Sequence, residues 1–160
     1  MSKMAKGPFM EFLRAEVLME TPDVYAEVQI PTPTSKTENM AMLIHSIELE
    51  PSTFADPAPV TLDTLHVQLT KRSKTELVYL DDPDLLAHFA AFTILNAVFH
   101  AVLTTGHQKT DFNPPILCPK ANLYFGIDTN GFTSIMGARC RISYTLEKVS
   151  REDFISALVE

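Results

Sequence analysis

The chain has 160 residues, of which 46% are hydrophobic and 21% charged, and its formal net charge is −7 at pH 7. That length suffices for one domain with its own core, and the composition excludes a wholly disordered chain. The acidic balance argues against general nucleic-acid binding, because phosphate contacts need a basic surface. Eleven prolines against five glycines imply many segment ends and few tight glycine turns.

The first residues, MSKMAKGPFMEF, contain no continuous apolar run, so a secretory leader is not expected. In FMEFLRAEVLME, Leu13, Ala15, Val17 and Met19 alternate as in a strand, while Phe9, Leu13 and Val17 also fit helical spacing. Residues 1–20 therefore read as an arm or first strand, and 21–160 as one β-sandwich domain. PDVYAEVQIP is a strand with Val24, Ala26, Val28 and Ile30 on one face. PTPTSKTEN is a loop. MAMLIHSIELE follows as a strand with Leu43, His45, Ile47 and Leu49 on one face, and with Met40, Met42 and Ile44 covering the start of the other.

Pro51 to Asp63 form a proline-rich connection. In TLHVQLTKR, Leu65, Val67 and Leu69 alternate with His66, Gln68 and Thr70. KRSK then makes a basic turn and TELVYL returns as the partner strand of a hairpin. The apolar stretch 85–103 is long enough to cross a bilayer. His88, Asn96 and His100 interrupt it, and Asp82 with Pro83 marks a helix start. The expectation is a short helix to about Ala91, a buried strand from about Phe92 to Thr104, and no membrane span. GHQKTDFNPP reads as a polar loop, ILCPKANLYFGI as one or two short strands, and DTNG as a turn.

The end of the chain is the clearest part. Ala138, Cys140, Ile142, Tyr144 and Leu146 alternate with Arg139, Arg141, Ser143, Thr145 and Glu147, one dry face and one wet. Ser150, three residues before Asp153, caps a short helix carrying Phe154, Ile155, Leu158 and Val159. Short antiparallel strands separated by turns define an all-β fold, a two-sheet sandwich with one short internal helix and a short C-terminal helix.

No catalytic signature appears. The five histidines lack HxH, HExxH or Hx3–5H spacing, and no GxSxG, GxGxxG or GxxxxGK[ST] occurs. Asp81, Asp82 and Asp84 read as helix capping before calcium binding, and KRSK as a solvated tip before a phosphate site. Cys118 and Cys140, without CxxC spacing, read as reduced and buried small hydrophobes. Arg139 and Arg141 share the polar face of one strand. They suit either pairing within the chain or contact with acidic partners on another subunit. No catalytic, cofactor-binding or metal-binding residue is assigned, and neither enzymatic activity nor a cofactor is expected.

The segment ANLYFGIDTNGFTSIMGARCRISYTLEKVSREDFISALVE, read as hairpin, long final strand and tail helix, resembles single jelly-roll capsid subunits of icosahedral viruses or phages. The resemblance extends in pattern over residues 20–160. It implies a structural, self-assembling protein, a homo-oligomer of many copies, located in the virion. Its subunit contacts would use Phe9, Phe12 and Leu13 in the arm, Arg139 and Arg141 in the last strand, and Phe154, Ile155 and Leu158 in the helix. The first twenty residues hold Lys3, Lys6 and Arg14 against Glu11, Glu16 and Glu20, so strong nucleic-acid binding through that arm is not expected. Two other readings stay open: a ligand- or carbohydrate-binding sandwich using loops such as 105–115, and a cupin-like enzyme whose histidines the fold would have to assemble.

Overall fold

A computed structural model describes residues 9–51, 62–94, 102–103, 107–132 and 135–160. In chain order the elements are β1 (Glu11–Leu18), β2 (Ala26–Pro31), β3 (Met40–Pro51), β4 (Leu62–Thr70), β5 (Leu85–Ile94), β6 (Val102–Leu103), β7 (Gln108–Cys118), β8 (Asn122–Asn130), β9 (Gly137–Lys148) and α1 (Arg151–Val159). One sheet has the order β1-β9-β3-β7 and the other β2-β8-β4-β5-β6, with every pairing antiparallel.

Leaving aside the two-residue β6, first pairs with last, second with next to last, and so inward to β4 with β5. That is one long hairpin rolled on itself so that its pairs alternate between two sheets, a jelly-roll sandwich. The rolling is sealed by β3 against β9 and β4 against β8.

The core lies between the sheets. β9 turns Ala138, Cys140, Ile142 and Tyr144 inward, and β4 turns in Leu65, Val67 and Leu69, as their alternation requires. β8 contributes Leu123, Phe125 and Ile127, and β5 contributes Ala87, Phe89 and Ala91. On β3 the alternation changes phase. Met42 and Ile44 are buried, then Ile47 and Leu49, because the register shifts between Ile44 and Ser46. His45 is the extra residue. The bulge lets two apolar runs of opposite phase face one core, and with Ala41 buried beside Met42 the start of the strand is covered on both faces.

Three local expectations give way to long-range pairing. The helix expected from Asp82 to Ala91 is instead the strand β5, paired along β4. Its Ala87, Phe89 and Ala91 stand opposite Leu69, Val67 and Leu65, and this cross-strand burial outweighs a local helix-start signal. Asp82 makes a local bond without a helix to cap: its Oδ1 accepts the Asp84 N–H at 2.8 Å, in the turn that leads into β5. Part of the strand expected up to Thr104 lies outside the described residues, as does most of the proline-rich connection after Pro51. No helix among the described residues is long and apolar enough to cross a membrane.

The second correction concerns TELVYL, which is not a strand. Gln68 replaces the backbone ladder there: its amide donates to the Glu76 carbonyl at 3.0 Å and accepts the Val78 N–H at 2.9 Å. Third, residues 108–115, read as loop, belong to β7, and 108–111 pair with β3. Phe112 to Pro115 bulge out opposite His45 because the register jumps from Asp111 to Ile116. In addition, β8 and β9 lie in different sheets, so the terminal segment contains no hairpin.

Part of the outer face of the five-stranded sheet is covered by its own chain. Residues 71–84 fold across it and bury Gln68. Glu27 accepts from Ser73 Oγ at 2.6 Å and from the Lys74 N–H at 3.0 Å, and Lys74 Nζ reaches Asp84 at 2.8 Å and Asp82 at 3.1 Å. Tyr25 lies over Gly126, where a Cβ would meet its phenol oxygen at 2.1 Å, and that oxygen accepts from Gln68 at 3.0 Å. Burial pushes the Tyr25 phenol pKa up.

α1 begins at Ser150, whose Oγ accepts the Asp153 N–H at 3.0 Å. Lys120 and Lys71 donate to the carbonyls of Leu158 and Glu160, meeting the acceptors left over at a helix C-terminus.

Cys118 and Cys140 are free and buried. They stand opposite Met42 and Leu49 of β3, on the order of 20 Å apart along that strand. A disulfide needs Cα atoms within about 7 Å. Burial raises both thiol pKa values, that of Cys140 to about 12. Alkylation should therefore be slow in the native protein and label both cysteines after unfolding without reductant; a two-dalton mass deficit would contradict this. Replacing Gln68 with alanine strands Val78 N–H and Glu76 C=O together, and should cost about 1–3 kcal/mol. Urea unfolding measures that, and an unchanged midpoint would refute the bridging role.

Candidate functional site

Residues 71–84 cover part of the outer face of the five-stranded sheet, while the four-stranded sheet exposes Arg14, Glu16, Glu50, Arg139 and Arg141 on its outer face. Its registers arrange the side chains in rows across the strands. Glu16, Arg139 and Glu50 form one row. Arg14, Arg141, Glu48 and Lys109 form the next, and Phe12, Ser143, Ser46 and Asp111 the third. Each row exists because residues two apart on a strand share a face and antiparallel pairing brings strand faces into line.

A groove of about 580 Å³ runs through the first two rows, lined by Arg14, Glu16, Glu48, Glu50, Arg139 and Arg141 with His107. Arg141 pairs with Glu48 through Nε and Oε2, and His107 Nε2 lies 3.3 Å from the other Glu48 oxygen. The hydrogen bond from Arg141 holds the Glu48 carboxyl below its ordinary pKa. Arg139 Nε is 3.7 Å from Glu16, and the Arg141 guanidinium stands 5.5 Å from the Phe12 ring centroid. Arg14, opposite Arg141, has no ion-pair partner among the described residues.

The two arginines singled out in the sequence thus share one face but already have acids of their own chain, Glu16 and Glu48. Phe12 joins them there. Phe9 and Phe12 are 71% and 52% exposed, beside or on an edge strand, whereas Leu13 turns inward and packs against the core. The helix is not part of this group. Phe154 is only 2% exposed, so it serves the fold of its own chain, while Ile155 stays exposed and Leu158 is half-buried. Reasoning from sequence missed Arg14, Glu16, Glu48, Glu50 and His107. Their polar phase on β1 and β3 was visible, but their convergence depends on register.

On the other sheet, His66 Nδ1 and His88 Nε2 lie 3.3 Å apart. In this contact one ring donates and the other accepts. Asp128 stands opposite His66, and burial raises its carboxyl pKa. No group of three or more His, Cys, Asp or Glu side chains among the described residues is placed to hold a metal ion.

No protein-family profile matches this sequence, and no curated protein sequence is similar to it. Its fold does have solved counterparts. VP1 of KI polyomavirus, solved as an unassembled pentamer, aligns with a TM-score of 0.54 at 9% identity, over 92% of this chain and 99% of that one. VP1 of Trichodysplasia spinulosa-associated polyomavirus aligns at 0.53 and 8% identity, over 91% and 98% of the two chains. Chimpanzee polyomavirus VP1 gives 0.52, again at 8% identity. The likeness is one of fold: a jelly roll of the viral capsid-protein type.

Burial and the neighbouring His66 hold His88 below its ordinary pKa of 6.5. The folded state therefore binds this proton less readily than the unfolded chain. The resulting stability is complete above pH 6.5 and is lost as pH falls toward the folded-state value. Urea midpoints at pH 7.5 and 5.5 should differ, with the lower pH less stable, and His88→Gln should reduce that difference. An undiminished difference in the variant would exclude His88 as its source.

Proposed function

We propose that this chain is a structural subunit that assembles with many copies of itself, as a capsid subunit located in the virion. The observation that carries this reading is the apolar flank on β1. Phe9, Met10, Phe12 and Leu18 are all exposed, and β1 is an edge strand whose outer side has no neighbour in its sheet among the described residues. An exposed edge bordered by large apolar side chains is a contact surface in search of a partner. A second copy is the partner that a shell requires.

The fold supports the same reading, because the solved proteins that share it include VP1 in pentameric form. The charge balance fits a protein surface as partner: the open face carries Arg14, Arg139, Arg141 and Lys109 against Glu16, Glu48, Glu50 and Asp111. Equal numbers of either sign suit neither a polyanion nor a polycation. Burial of Phe9 and Phe12 at a contact would contribute roughly 1.5–3 kcal/mol each per copy, which over many copies is enough to drive assembly.

Light scattering of the full chain at micromolar concentration should give a mass of many chains, and electron microscopy should show closed particles. Changing Phe9 and Phe12 together to serine should lower that mass without altering the far-ultraviolet circular dichroism. A monomer for the unchanged chain would overturn the reading, and the ligand-binding sandwich would replace it.

A further inference from the structure

The connection between β4 and β5 presents Tyr79 and Leu80, which are 86% and 80% exposed, the highest values among the exposed large hydrophobic side chains described. The rest of that connection is firmly held. Gln68 fixes Glu76 and Val78, the Asp82 N–H donates to the Tyr79 carbonyl at 3.0 Å, and Lys74 grips Asp82 and Asp84. Both side chains are therefore displayed from a preorganised turn. An apolar tip fixed in this way loses little conformational freedom on docking, and tyrosine is among the residues that dominate such contacts. Beside it, Asp81 makes no ion pair among the described residues; Arg72 and Lys74 pair with Asp82 and Asp84, and Lys71 donates to the Glu160 carbonyl.

The groove on the four-stranded sheet holds three arginines and three glutamates. Glu16 and Glu48 are engaged by Arg139 and Arg141, while Arg14 and Glu50 make no ion pair among the described residues. Its volume of about 580 Å³ is in the range that accommodates a small ligand or a pair of side chains. Phe12, on the same strand face two residues from Arg14, supplies an apolar neighbour.

We propose that Tyr79 and Leu80 of one copy seat in the groove beside Arg14 of the next copy, with Asp81 supplying the anion that Arg14 lacks. This rests on the self-assembly reading above and names the contact that would carry it. Tip and groove lie on different parts of the molecule, the tip on the connection that covers the five-stranded sheet and the groove on the outer face of the other sheet. Neither site blocks the other on the same copy. The contact is heterologous: each copy donates one tip and offers one groove, so that it propagates into a ring or an open chain. A small carboxylate ligand in the groove is the competing occupant.

Two surface variants test this. Arg14→Glu spoils the groove and leaves the tip; Tyr79→Ser with Leu80→Ser spoils the tip and leaves the groove. Each alone should show a lower assembled mass than the unchanged chain, with an unchanged thermal midpoint as the control for folding. Mixed in equal amounts, they retain one intact tip and one intact groove, and should form pairs of two 17.9 kDa chains. Arg14→Glu combined with Asp81→Arg in one chain should restore the original mass, which a merely structural role for either residue would not do. If the unchanged chain assembles and both variants assemble equally well, this contact is wrong while the self-assembly reading stands. The contact is equally wrong if the variants dissociate but their mixture forms no pairs, or if a small carboxylate saturates the groove without competing with assembly. If the unchanged chain is a monomer, the self-assembly reading itself fails.

Discussion

The position of β9 between β1 and β3 is the constraint on which the open face depends. Both edges of β9 are paired over most of its length, so its register with each neighbour is set by continuous backbone hydrogen bonding and by an apolar inner face. A slip of one residue on either side would turn Ala138, Cys140, Ile142 and Tyr144 outward. The same registers that bury this row bring Arg139 beside Glu16 and Glu50, and Arg141 between Arg14 and Glu48. Core and surface are two faces of one decision.

The bulge at His45 is what allows β3 to satisfy that decision. Without it, either Met42 and Ile44 or Ile47 and Leu49 would face water. The extra residue lets both pairs enter the core and places Ser46, Glu48 and Glu50 in phase on the outside. Across from it, β7 accommodates the shift by leaving Phe112 to Pro115 out of register. The charged rows are thus a by-product of how a twelve-residue strand with two apolar phases is fitted into one sandwich.

The two sheets differ in what they leave free. The five-stranded sheet carries its own cover, fastened by Gln68, Glu27, Lys74 and Asp84, and the tip of that cover is its most exposed apolar part. The four-stranded sheet carries a groove with balanced charge and an apolar edge strand. Such asymmetry is what a subunit needs if it must present one projecting and one receiving surface. It arises from side-chain hydrogen bonds that tie one connection to β2 and β4.

Several features were legible in the linear chain because each depends only on neighbours in sequence. The alternations in β9 and β4 and the Ser150 cap all follow from two-residue periodicity or from a side chain meeting its own backbone. The two-sheet, all-β class followed from these strands. Arg139 and Arg141 were correctly placed on one polar face for the same reason. What the sequence could not decide is which strand meets which. Residues 82–91 carry a helix-start signal that only the edge offered by β4 overrules. TELVYL has strand composition, yet a single buried glutamine from β4 takes the place of its ladder. Glu48 and Arg141 are 93 positions apart, and no local pattern brings them together. The sequence by itself determined the faces of the strands, because the side-chain period is local; the tertiary structure alone decided the partners, because pairing is a choice among distant edges settled by total burial.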